Sequence, residues 1–433
     1  MFSMFVLVFG GLLATSHAYV WHRIVRAGRL RGPAAWITTG LIVTGWVVIL
    51  SAMAIWRSVP FRDATPYIVG AFVWLGTFFY LLSFLLVADI GRILHWLISR
   101  VLGRGGSDRG AATPTLAMVD LGGGPVDARR GEPHTQVQTS NAESSSRRAA
   151  VPLGRREFLA RAMASTSVVG AVGTAGLGVR SANLEVTTPE VPVRLARLPR
   201  TLDGFRIALI ADTHIGPILD GRFMRRVVEK ANGLRPDAVV IVGDMVDGSV
   251  AMLKDEIASL AELRSRCGTY FVTGNHEFYV GARPWMHHLP RLGVRVLSNE
   301  LVAVGDERGG ASFDLAGFND IAAGRIDPSL APDASALAAH VTPERELVVL
   351  SHQPRTVDAA AALHAGLQLS GHTHGGQIWP FGLAVLLAQP YVSGLHRHTA
   401  ATQIYVSRGT GFWGPPMRVF APAEITQIVL VAA

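Results

Sequence analysis

The sequence predicts an α/β domain of about 245 residues that follows a membrane region of hydrophobic helices. Three observations carry that prediction. Apolar runs of spanning length open the chain. Beyond Glu185 short apolar strands alternate with amphipathic helices. Carboxylate, amide and imidazole side chains gather just past the ends of those strands, where an open α/β sheet builds its sites.

Composition agrees with the membrane region. Of 433 residues, 49% are hydrophobic and only 17% charged, a skew that apolar spans produce by pushing charge to their flanks. The runs cover about 2–20, 34–56 and 67–88, each near the ~20 residues a helix needs to cross the hydrocarbon core. Trp36, Trp56 and Tyr67 stand at run ends, where aromatic rings favour the interface. The first run lacks the basic leader and cleavage site of a signal peptide and reads as a true span. Asp89 to Gly105 is too charged to span. Its Ile90, Ile93, Leu94, Leu97, Ile98 and Val101 recur at helical spacing, predicting an interfacial helix or a plain extension of the third span.

Residues 106–154, rich in Gly, Ser, Thr, Ala and Arg with no hydrophobic period, predict a disordered linker. Arg155 and Arg156 then precede Phe158, Leu159 and a mild apolar run, so 155–184 resembles a twin-arginine export signal that stays as an anchor helix. Arginine bias gives the same topology. Arg23, Arg26, Arg29 and Arg31 place the first loop inside, the second loop carries only Arg57, Arg62 and Asp63, and Arg92 to Arg161 is again Arg-rich. Residues from about 185 onward should then face outward.

Charge location and cysteine usage exclude some classes. The net +8 divides into 18 basic against 8 acidic residues over 1–184, and 22 against 24 over 185–433. The basic excess sits among the apolar runs, where headgroups and topology explain it, so the C-terminal domain has no surplus with which to grip nucleic acid. Cys267 is the only cysteine, which rules out an intrachain disulfide, a zinc ribbon and an iron–sulfur cluster.

Strands are predicted at 206–211, 238–242, 270–273, 313–317, 347–350, 367–369, 404–407 and 425–431, with helices at 221–233 and 252–264. At strand ends stand Asp212 and His214, Asp244, Asn275 and His276, His352, and His372 and His374. Singly each is weak, since a lone buried His is more often a satisfied core residue. In this order, each closing a strand, they suit phosphate-ester hydrolysis. That reaction needs positive charge over the phosphoryl oxygens and a strong nucleophile at neutral pH. Two divalent ions ~3.5–4 Å apart supply both, lowering the pKa of a shared water. A short carboxylate can bridge them, while neutral imidazoles and an amide carbonyl add no repulsive charge.

The ordered set DTH, GDMVDG, GNHE, SH and GHTH resembles the calcineurin-like metallophosphoesterase superfamily over roughly residues 200–433. The resemblance implies a four-layer α/β/β/α sandwich. It implies that Asp212, His214, Asp244 and His374 hold one ion, and that Asp244 bridges to a second completed by Asn275, His352 and His372. His276 would protonate the leaving oxygen. The ions would be divalent, with Mn, Fe and Zn all accepting such a set. GHTHGGQIWPF and SRGTGFWGPPMR, with the helical N-terminus, look like a membrane-attached bacterial branch. The expectation is a multi-pass protein of the bacterial cell membrane whose extracytoplasmic domain cleaves phosphodiester or related bonds. Membrane lipids and a small or lipid-linked phosphoester are its expected partners. The competing expectation is a membrane sensor or assembly factor that uses the fold as a binding module.

Other signals are discounted. Gly409 to Gly414 matches GxGxxG but runs into Pro415 and Pro416 instead of a helix, so it reads as a loop bordering the site. His396 and His398 read as a solvated loop. Arg355 and Arg418 read equally as phosphate contacts or surface groups. Asp247 and Glu277 are expected to support the ligands, with Asp320 a weaker candidate.

Overall fold

The computed structural model describes residues 2–55, 61–103, 154–306 and 310–433. The linker expected at 106–154 lies outside the described residues but for Gly154, as do Trp56, Arg57 and Arg104.

Four long helices come first: α1 (Phe2–Trp21), α2 (Gly32–Ile55), α3 (Phe61–Gly103) and α4 (Arg155–Ala182). Gly32–Met53, Thr65–Leu102 and Glu157–Ala182 are long and apolar enough to cross a membrane. Asp89 to Gly103 continues α3 without a break. One level of the bundle is charged. Arg23 and Tyr19 meet Asp89, each at 2.7 Å, and Arg161 meets Glu157 at 2.8 Å and the Gly28 carbonyl at 3.0 Å.

Among the described residues the C-terminal part holds twelve strands. β1 (Glu190–Leu195), β2 (Phe205–Ile210), β3 (Ala238–Val242), β4 (Thr269–Val272) and β5 (Val294–Val296) start one sheet. β6 (Glu300–Asp306), β7 (Ala311–Gly317), β8 (Leu347–Leu350), β9 (Leu367–Ser370), β10 (Gly394–Arg397) and β11 (Gln403–Val406) make the second, in the order β10-β11-β9-β8-β7-β6. β12 (Thr426–Ala432) then returns to the first sheet, completing the order β1-β12-β2-β3-β4-β5.

Side-chain alternation makes the layers. Ile207 and Leu209 of β2, Val240 and Val242 of β3, and Val348 and Leu350 of β8 meet in one core between the sheets. Their neighbours Ala208, Ile210, Val239 and Ile241 face a helical layer outside the first sheet, and Leu347 and Val349 face another outside the second. The result is a four-layer α/β/β/α sandwich. In the first helical layer α5 (Gly221–Gly233) is capped by Asp220, whose carboxylate accepts the Arg222 and Phe223 amides, and buries Met224, Val227, Val228 and Ala231.

The helix expected at 252–264 is not continuous. Val250–Leu253 is α-helical and Ala258–Glu262 is a 3-10 turn. Between them the Glu256 carboxylate accepts the Gly221 amide at 2.7 Å, and the chain turns to let Leu253, Ile257 and Leu260 all reach the core.

Candidate metal centre

Each candidate residue lies just past the C-terminal end of a parallel strand. Asp212 and His214 follow β2, Asp244 follows β3, and Asn275 and His276 follow β4. His352 follows β8, and His372 and His374 follow β9. Because β2, β3 and β4 are parallel neighbours in one sheet and β8 and β9 in the other, both sheets deliver their loops to one place.

The backbone there is strained. Asp212, His214, Asp244, His372 and His374 all occupy the left-handed region, with φ of 53°, 45°, 48°, 70° and 52°. Non-glycine residues pay of order 1–3 kcal/mol each for such conformations, which persist where the surroundings over-determine them. Here the Asp212 and His214 amides donate to the carbonyls of Gly243 and Asp244, each at 3.1 Å. Gly243 and Gly274 permit the close approach. A Cβ on Gly243 would come within 2.6 Å of Gly274 Cα, and one on Gly274 would strike the Asp244 carboxylate.

The side chains converge in two groups that share one wall. Asp212, His214 and His374 bring their ligand atoms within 4.8 Å of one another, as do Asp244, His352 and His372. His214 Nε2 lies 3.1 Å from His374 Nε2, and 3.8 Å from Asp244 Oδ2. His352 Nε2 lies 3.1 Å from the same Oδ2 and 3.2 Å from His372 Nδ1. Asp244 thus sits between the groups. Asn275 Oδ1 is buried with no hydrogen-bond partner among the described residues, an acceptor whose desolvation only a cation or donor would offset. A crowd of carboxylates, imidazole nitrogens and an orphaned carbonyl fits divalent ions.

Charge reinforces that fit. Burial lowers His372 to about 3 and holds His374 well below the usual imidazole range, keeping both neutral as ligands must be. Burial pushes Asp212 up to about 6. Asp244 is held low against its burial by the surrounding imidazoles, His352 foremost, which donates from Nδ1 to the Val242 carbonyl at 2.8 Å.

His276 differs from the others. Burial would lower its imidazole, but Asp244 and Asp247 outweigh that and raise it to about 9. Asp247 Oδ1 accepts from both His276 Nδ1 at 2.6 Å and His214 Nδ1 at 3.0 Å. The trio His214, Asp247 and His276 is also compact, but both rings direct Nδ1 at the carboxylate, so it is a hydrogen-bonded support. Glu277 accepts the amides of Gly274, Asp244, Met245 and Val246 at 2.7 to 3.2 Å, clamping the β3 and β4 loops together. Asp320, buried, accepts Gln353 Nε2 at 3.0 Å, next to His352.

The remaining signals fall into place. The loop after β11 does border the site, since the Trp413 ring packs edge-on against His276 at 5.5 Å. Arg418 is neither a surface group nor open to a phosphate. It is buried, and its guanidinium donates to the carbonyls of Gly411, Arg408 and Ala421, 3.5 Å from His374 Nδ1. Arg355 is exposed. His396 lies in β10 instead of a loop, because that segment pairs antiparallel with β11, and His398 bonds Asp358 at 2.9 Å away from the cluster. Trp413 and Arg418 stand in the SRGTGFWGPPMR segment, but nothing in it announces that the arginine is buried or that the indole reaches His276, because both are placed by a loop that no periodicity describes.

Comparison with known proteins agrees with the geometry. The family described as calcineurin-like phosphoesterase matches residues 205–376. An uncharacterized metallophosphoesterase of Helicobacter pylori is 39% identical over 56% of this chain and 63% of its own length. A transmembrane protein with metallophosphoesterase domain from Bos taurus is 39% identical over 63% of this chain and 62% of its own. The chain therefore spans less than two thirds of those relatives. It spans 89% of an uncharacterized metallophosphoesterase of Aquifex aeolicus, at 31% identity over 55% of this chain. With the fold, the ligand-type cluster and these matches together, the chain belongs to the calcineurin-like metallophosphoesterase family.

Proposed function

We propose that the chain is a membrane-anchored phosphodiesterase or phosphohydrolase acting outside the cytoplasm on a lipid-linked or cell-envelope phosphoester. Asp212, His214, Asp244 and His374 would hold one divalent ion, and Asp244, Asn275, His352 and His372 would hold the other. The observation that carries this reading is the pair of ligand groups meeting at Asp244, with the His276 imidazole held beside them by Asp247.

When bound, the two ions supply positive charge over the phosphoryl oxygens and acidify a water for attack. The chain's own residues do the rest. Asp247 fixes the His276 ring through Nδ1 and leaves Nε2–H free, 4.0 Å from Asp244 Oδ2. As water adds to phosphorus and the ester P–O bond breaks, Nε2 gives its proton to the departing oxygen. Trp413 and Tyr279, packed on the same ring at 5.5 and 5.4 Å, hold its tilt and limit water around it. Neutral His372 and His374 keep the site from repelling a cation and leave the anionic ester to meet net positive charge once the ions are in place.

The arginine-biased loops support an outward-facing domain. A membrane anchor suits a substrate held in the envelope, because tethering raises the local concentration. The test is metal analysis of the purified full chain, wild type and Asn275→Ala, beside hydrolysis of a chromogenic phosphodiester. About two ions per chain, with both occupancy and turnover reduced in Asn275→Ala, is the expected result. No metal and no turnover after Mn, Fe or Zn is supplied would discard the hydrolase reading and favour a binding module.

A further inference from the structure

The segment after the GHTH motif is apolar where a water-facing loop would be charged. From Gly375 to Leu395 there is no Asp, Glu, Lys or Arg. Yet Trp379, Phe381, Leu383, Leu386 and Leu387 are all exposed, Leu387 at 90%, and nearby Phe420 at 86% packs edge-on to Trp379 at 6.3 Å. Contiguous exposed apolar surface of this kind marks a contact with protein or membrane.

Its position says which. Phe381 packs edge-on against Phe79 of α3 at 6.3 Å. Ile378 and Met417 belong to the same apolar cluster as Leu81 and Leu85 of α3 and Ala171 and Ala175 of α4, and the Arg418 amide donates to the Gly178 carbonyl of α4 at 2.9 Å. The charged level of the bundle sets the depth of these contacts. Phe79 and Asp89 are ten residues apart on one helix, about 15 Å along its axis. Gly178 and Arg161 are seventeen apart on α4, about 25 Å. Both distances are shorter than the ~30 Å hydrocarbon core. With the Asp89 level at one interface, the apolar collar is therefore level with the leaflet on the domain's side.

The collar adjoins the loop that carries His374. Gly376, two residues beyond His374, lies so close to Gly382 that a Cβ on it would come within 2.5 Å of Gly382 Cα, which packs the start of the collar's helical turn (Gly382–Val385) against the loop after β9. Gln377 donates to the Trp413 carbonyl at 2.9 Å and accepts the Trp413 amide at 3.0 Å, and that ring leans on His276.

We propose that the segment 379–387, with Phe420, is embedded in the bilayer, and that the centre takes its phosphoester from the membrane as the headgroup of a lipid. The embedding stands on the collar alone. The choice of substrate rests on the phosphoesterase reading above. Leu and Phe side chains are stabilised at membrane depth, whereas an Asp there is strongly disfavoured, so a charge in the collar should lift it from the lipid.

The test uses the full chain with Cys267→Ser and a single new thiol, Leu387→Cys or in a second preparation Leu383→Cys. Each thiol carries an environment-sensitive fluorophore, and the protein is reconstituted in phosphatidylethanolamine–phosphatidylglycerol vesicles. Arg264→Cys, near the opposite end of β4, is the control. The expected result is loss of most emission at 387 and 383 to lipids with a nitroxide on the acyl chain, with little quenching by aqueous iodide, and the reverse at 264. Quenching by iodide at 387 and 383 would overturn the proposal. So would protection from both quenchers, which would mean that protein covers the collar. On the substrate, Leu383→Asp/Leu387→Asp should lower the ratio of lipid to soluble-diester turnover about tenfold or more, close to 1.4 kcal/mol; an unchanged ratio would overturn lipid delivery. Inserted labels in a preparation that turns over no phosphoester would instead remove the hydrolase reading and leave the embedding intact.

Discussion

The α/β domain and the helical region are organised by different physics. In the domain, single residues at strand ends matter by identity. Asp212, Asp244 and Glu277 are buried carboxylates, each held by specific amides or imidazoles, and moving any of them by one position would leave a charge unpaired in a low dielectric. In the helices, Leu12, Ile37, Leu41 and Val43 are exposed apolar groups whose neighbours need only be apolar too. There a charged level at Arg23, Asp89 and Arg161 fixes position, and the rest is set by composition. The contrast teaches where a sequence stores function: a few positions carry it in one region, and an average carries it in the other.

The sharpest way to break that contrast is to change one atom's role in the domain. His276→Gln keeps a polar group of similar reach but removes the proton that Nε2 holds. Turnover of a phosphodiester should fall about 10²- to 10⁴-fold, the usual contribution of a positioned acid, with metal content near the wild-type value. A loss of metal in parallel with activity would make His276 a ligand and revise the division between the two roles. A smaller effect is expected one layer out. Asp247→Asn removes the charge that orients both His214 and His276, and losses of about 10- to 100-fold in metal affinity or activity are typical for such supports. Equilibrium metal titration beside steady-state rates would measure it, and an unchanged variant would mean that packing against Trp413 and Tyr279 suffices to hold the ring.

The same contrast explains what was legible in the sequence. The eight strands expected from apolar runs are the eight interior strands of the two sheets, buried on both faces. The four that escaped notice, β1, β5, β6 and β10, are the four edges. An edge strand pairs on one side only and alternates with solvent, as the burial of β1 and β10 shows, so no continuous apolar run announces it. The ligand-type residues were legible because each closes an interior strand. The five left-handed backbone positions were not, since Asp and His give no warning of a positive φ in the way glycine does. Nor was the setting of Arg418, which lies between α4 and His374 through contacts that cross 240 residues of chain from Gly178.

In the helical region the corresponding change should do almost nothing, and that is the useful limit. Leu41 lies on α2, 62% exposed, on a helix whose apolar residues show no preferred face. Leu41→Ile keeps volume and hydropathy and changes only where the side chain branches. Helix propensity differs little between the two, and substitutions away from a packed contact stay within about 0.5 kcal/mol. Thermal unfolding of the full chain in one detergent should therefore shift by no more than a degree or two, with diester turnover unchanged. A larger shift would mean that position 41 meets a specific partner surface, and that identity, rather than average hydropathy, governs this face of the bundle as it governs the metal centre.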